Sequence, residues 1–155
     1  MIDPGRTLAP IACCLLAACG AGASSPSPAP SSSPTAATAT DTASYSGIGT
    51  GETVYFTGTE PFWGGEVSGK ALTYTTPENQ TGESVAVERF AGRNGISFSG
   101  QLDAMPFMLA VTPGKCSDGM SDRSYPFTAT LQVRGQLREG CAWTDEQAFT
   151  GAARP

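Results

Sequence analysis

The sequence, 155 residues long, contains no histidine. That removes the side chain that most often serves as general base and as transition-metal ligand near neutral pH. Basic residues are scarce too: nine Lys and Arg stand against fourteen Asp and Glu, a net charge of −5. Without a basic cluster the chain lacks the electrostatic footprint of a nucleic-acid binder and gains no attraction from an anionic membrane surface. No apolar run approaches the roughly 20 residues that a membrane-spanning helix requires. No segment sustains a 3.6-residue apolar period, which argues against amphipathic helices. The five cysteines include no Cys-x-x-Cys pair, and with no histidine available a zinc or redox centre is disfavoured.

What is present begins at the amino end. Arg6 and the starting amine, an apolar stretch over residues 8–18, and small residues up to a cysteine follow the plan of an export signal. Pro10 and the low-complexity sequence beyond argue against a buried helix. Leu16-Ala17-Ala18-Cys19 reads as a lipobox, with residues 1–18 removed and Cys19 lipidated. A plain export signal, cut at Ala-Cys-Gly or Ala-Gly-Ala, stays open as the alternative. On the lipobox reading the mature chain loses one charge of each sign, Asp3 and Arg6, and keeps −5. It is anchored in a bacterial envelope by its acyl chains, and Gly20 rather than aspartate after Cys19 favours the outer membrane, facing the periplasm.

Cys13 and Cys14 leave with the signal and Cys19 is consumed by lipid. Cys116 and Cys141 remain, an even pair in an oxidising compartment, and are expected to form one disulfide. Residues 19–50 are rich in Ala, Ser, Pro and Thr, with Asp41 their only charge. The run Ser-Ser-Pro-Ser-Pro-Ala-Pro-Ser-Ser-Ser-Pro at 24–34 cannot bury a core. It predicts a tether spanning on the order of 30 Å as a flexible coil.

Residues 51–149 suffice for one small domain, and 150–155 read as a disordered tail. The domain's apolar period is two. Val54 and Phe56 alternate with Tyr55 and Thr57, Leu72 and Tyr74 with threonines, Val85 and Val87 with Ala86 and Glu88. Ile96, Phe98 and Leu102 continue the pattern, as do Phe107, Leu109 and Val111, then Phe127, Ala129, Leu131 and Val133. In the last segment Leu137, Cys141 and Trp143 share one parity. Such half-buried strands belong to antiparallel sheets. Turn signals separate them at short spacing, with Asn94-Gly95 suited to a tight hairpin turn and residues 145–149 to a terminal helical turn. The expected fold is all-β: a small antiparallel up-and-down barrel or compact sandwich of about eight strands.

Two segments are richer than packing requires. In Gly58-Thr59-Glu60-Pro61-Phe62-Trp63, the proline presents Glu60 and Phe62 from a rigid turn, while Trp63 has core parity. In Cys116-Ser117-Asp118-Gly119-Met120-Ser121-Asp122-Arg123-Ser124-Tyr125-Pro126, Asp118 and Asp122 lack the order and closing glutamate of a calcium loop. Bonds from Asp and Ser side chains to loop amides, with Arg123 forking onto an acceptor, account for it better.

The two motifs in this order, with a closing Gly-Cys-Ala, resemble a family of uncharacterised bacterial envelope lipoproteins over about residues 53–143. The resemblance implies an envelope role, since such modules accompany lysozyme-inhibitor modules in some polypeptides. The Ser-Gly-x-x-Tyr strand motif of those inhibitors is absent, because Ser68-Gly69 is followed only by Tyr74.

No nucleophile has a histidine to activate it. The expectation is a non-catalytic, monomeric binding module that uses no cofactor or metal and meets an envelope protein or cell-wall component. Tyr55, Glu60, Phe62, Asp118, Asp122, Arg123 and Tyr125 are its candidate surface. A muramidase inhibitor with an acidic face is the alternative, and a hydrolase using Glu60 with Asp118 or Asp122 stands third.

Overall fold

A computed structural model describes residues 43–152. The expected signal peptide, the lipidation site Cys19, the tether up to residue 42 and residues 153–155 lie outside the described residues. Eight strands follow one another: β1 (Val54–Gly58), β2 (Trp63–Ser68), β3 (Ala71–Thr75), β4 (Glu83–Ala91), β5 (Ile96–Leu102), β6 (Met105–Cys116), β7 (Tyr125–Val133) and β8 (Gln136–Thr144). Each pairs antiparallel with its neighbour in sequence, and β8 returns to β1, closing an up-and-down barrel. Closure gives every strand two partners and leaves no free sheet edge. The described residues contain no helix. In place of the expected helical turn at 145–149, a bend is held by Thr144, whose Oγ1 accepts from the Gln147 amide at 2.9 Å.

The interior is built by the predicted alternation. Phe56, Leu72, Tyr74, Val85, Phe98, Phe107, Leu109, Phe127 and Leu131 are all buried in one core. Each such side chain stabilises the fold by about 1.5–3 kcal/mol through burial. Trp63 lies in the core against the inner side of β1 and β8, and two glycines make room for it. A Cβ on Gly58 or on Gly140 would run into the indole.

This occupancy decides the orientation of β8. Ala142 lies opposite both Phe56 and Phe127 and is fully buried. The parity of Leu137, Cys141 and Trp143 is therefore the outward one, and Leu137 is 69% exposed. With Trp63 and Phe56 inside, β8 has room to turn in only small residues at its centre.

The two ends of the barrel close differently. At one rim, Ile48 is buried in the core, its carbonyl accepts from Arg89 at 2.7 Å, and the Tyr45 amide donates to the Gly92 carbonyl. Residues 43–50, assigned above to the tether, thus include a core residue, and the folded part starts before residue 50. The chain's last described segment meets the first at this rim. Gln147 Nε2 donates to the Gly47 carbonyl at 2.7 Å, and the Thr53 amide donates to Asp145 at 3.0 Å. Ser124 and Thr150 exchange backbone hydrogen bonds, so residue 150 belongs to the fold rather than to the tail.

At the opposite rim, Arg134 bridges Glu83 and Asp103 at 2.9 and 2.7 Å, and Arg138 donates to the Tyr74 hydroxyl at 3.0 Å. Two tight turns lie here, Asp103-Ala104 and Arg134-Gly135, with positive φ at both central residues. That geometry suits the twist of a two-residue hairpin. Asn94-Gly95 is not such a turn. Ala91 pairs with Ile96 across a four-residue loop, closed by the Gly92 amide on the Gly95 carbonyl.

Candidate functional site

The outer wall over β7, β8 and β1 carries a second apolar assembly, apart from the barrel core. Tyr55 of β1 and Trp143 of β8 are register partners and stack with centroids 5.5 Å apart. Tyr125 packs on Trp143 at 5.5 Å, and Phe149 touches both rings at 5.4 Å. The Arg123 guanidinium sits 4.4 Å from the Phe149 centroid, within cation–π range. Tyr125 is 2% exposed, although it lies outside the barrel.

The disulfide holds the loop that completes this assembly. The register of β6 shifts between Pro113 and Cys116, which carries Cys116 across β7 to Cys141. The two are bonded, with Cα atoms 5.6 Å apart. Asp118 organises the loop beyond. It accepts from the Met120 and Ser121 amides at 3.0 and 2.8 Å, from Ser121 Oγ at 2.7 Å and from the Tyr125 hydroxyl at 3.0 Å. Partial burial works to raise its pKa, but these four donors outweigh it and hold the carboxyl well below its ordinary range. Burial raises the Tyr125 phenol, and its bond to Asp118 adds to the rise against an opposing bond from Arg123.

Further round the wall, β1, β2 and β3 place Thr57, Gly64 and Thr75 side by side on the outer face. Gly64 and Gly65 contribute no side chains, and a groove of about 500 Å3 lies over them. Phe62, 54% exposed, forms one wall and Trp143 another, with Thr76, Pro77 and Gln80 along the side. Gly65 is obligatory: its φ is +151°, and a Cβ would meet the Thr73 carbonyl oxygen. Thr57 also borders a second hollow of about 410 Å3, lined by Thr59, Thr128, Thr130, Glu139 and Asp118.

The structure therefore brings Tyr55, Arg123 and Tyr125 into one assembly around Trp143, and joins Phe62 to it through the groove. Asp118 holds the loop from within. Glu60, exposed at φ 63° and cis to Pro61, lines neither hollow. Asp122 is exposed and lies with Arg123 and Lys115 along a separate depression. Glu60, Phe62, Asp122 and Arg123 do not share a barrel mouth. Sequence reasoning missed Trp143 and Phe149 as outer-wall residues. The signal was Ala142 and Thr144, small residues flanking Trp143, whose parity fits the space beside Trp63. Among the described residues no group of three acidic or cysteine side chains is placed to hold a metal ion.

Comparison with protein-family models, curated proteins and solved structures returns no match to this chain.

Proposed function

We propose that the chain is a lipid-anchored protein of the bacterial envelope, attached through Cys19, whose barrel is a non-catalytic binding module. Its site is the groove between Phe62 and Trp143. One observation carries the assignment: a large aromatic side chain, Phe62, stands more than half exposed at the rim of a groove with no charged lining. Exposed aromatics beside a preformed concavity are the usual mark of a recognition surface. The outer aromatic assembly supports the same reading, because it fixes Trp143 in place before any ligand arrives and so lowers the ordering cost of binding. Asp118, one carboxylate of the hydrolase reading, spends its oxygens on four loop donors.

Two measurements test the proposal. Cys19→Ser removes the lipidated side chain, and the variant is expected to lose incorporation of labelled palmitate in the producing bacterium. Continued incorporation refutes the anchor. Phe62→Ala in the full chain, kept in detergent so that its acyl chains cannot insert into membrane, is expected to lower retention on detergent-extracted envelope fractions about tenfold. Equal recovery of the two forms refutes the site.

A further inference from the structure

Resting on that reading, we propose that the groove takes a neutral saccharide chain, with one uncharged sugar ring lying against Phe62. The argument is chemical complementarity. A pyranose ring has an apolar face of C–H groups and an equator of hydroxyls, so its site needs an aromatic surface and neutral hydrogen-bonding groups together. Phe62 and Trp143 supply the first. Thr57, Thr75, Thr76 and Gln80 supply the second, each able to donate and accept. The volume of about 500 Å3 falls within the range of small-ligand sites.

Charge narrows the class. None of the residues lining the groove is Asp, Glu, Lys or Arg. Glu66 stands on the same outer face as the register partner of Tyr55, and the whole chain carries −5. A phosphate or uronate polymer therefore meets no cation here and is repelled by the surroundings. A quaternary ammonium would need rings converging on one point. Phe62 is paired with no other ring among the described residues, so it stands as an open platform rather than as part of a cage.

Rigidity completes the fit. Tyr55, Tyr125 and Phe149 all pack on Trp143, and the glycine floor is backbone already committed to the β2 ladders. Weak, sequence-tolerant stacking suits a site that reads a repeating polymer, one ring at a time.

The test uses the full chain in a polyoxyethylene detergent, because glycoside detergents would occupy the site. Binding of cellotetraose and of the N-acetylglucosamine tetramer is measured by calorimetry, and the same sugars compete against retention on envelope fractions. Saturable binding is expected, about tenfold weaker in Phe62→Ala and about fivefold weaker in Thr75→Val, with polygalacturonate inert. Both variants should melt as the parent does, since neither side chain is part of the core. If Phe62→Ala loses envelope retention while neither tetrasaccharide binds nor competes at millimolar concentration, the saccharide inference falls and the binding module stands. Displacement by an oligoproline peptide instead of sugar also overturns the inference. If retention is unchanged in Phe62→Ala, the groove itself is the wrong site and both proposals fall.

Discussion

Tyr55 and Trp143 stack on the outside of the barrel wall with their planes 19° apart, although both lie in strands whose alternate residues fill the core. The contact gives the second half of β8 two packed faces of different kinds: small residues, Gly140 and Ala142, inward and Cys141 and Trp143 outward. Trp143→Ala is accordingly expected to destabilise the domain by about 3–5 kcal/mol, the cost of removing a packed aromatic. Leu137→Ser, on the same parity but exposed, should change stability by no more than about 0.5 kcal/mol. Equilibrium denaturation in urea separates the two, and equal effects would contradict the assigned register of β8.

The disulfide between Cys116 and Cys141 closes a loop of sequence separation 25. In the chain-entropy account its loss costs about 3 kcal/mol. Reduction should lower the melting temperature and expose Trp143 to acrylamide quenching, while Trp63, 4% exposed, stays shielded. Two thiols that label without reductant at positions 116 and 141 would contradict the bond.

Asp118 gives the same loop a dependence on acid. Its folded-state pKa lies below the unfolded value of about 3.9. The stabilisation it contributes is therefore fully present above that value and is lost as pH falls through the lower, folded-state value. Quenching of Trp143 by acrylamide should stay flat from neutral pH to about 4 and rise below it. Asp118→Asn should show raised quenching at neutral pH with this acid step removed. An unchanged acid step in that variant would assign the titration to another group.

Trp63 and the two glycines around it form a steric unit. Gly58→Ala places a methyl group in the space of the indole, and should destabilise by about 1–3 kcal/mol. Combining it with Trp63→Leu should give a smaller loss than the sum of the two single changes, because the smaller side chain vacates the contested space. Strict additivity in urea denaturation would remove the steric account.

Alternation in the sequence was enough to place the strands, because a barrel interior accepts only one parity per strand, and Phe98, Leu109 and Leu131 leave no ambiguity. Asp118 was legible for a different reason: its main partners lie two, three and seven residues away, so the local spacing already describes the loop. The orientation of β8 was not legible. Leu137, Cys141 and Trp143 look like a core face until the register shows Trp63 occupying the space they would enter. The groove was hidden in the same way. Gly64 and Gly65 become a floor only when β1 and β3 are known to flank them, and Trp143 becomes a wall only when β8 is known to close on β1.

The meeting of the first and last described segments at one rim has an architectural consequence. Gly47 is hydrogen-bonded to Gln147, and Thr53 to Asp145, so the module begins and ends at a single place on its surface. A chain folded in this way is a cassette: it can be spliced into an exposed loop of another protein without prising the host apart. It can also be permuted, with its old ends joined by a short linker and new ones cut at the Gly69-Lys70 turn. The groove, set towards the far rim, would remain free in either arrangement.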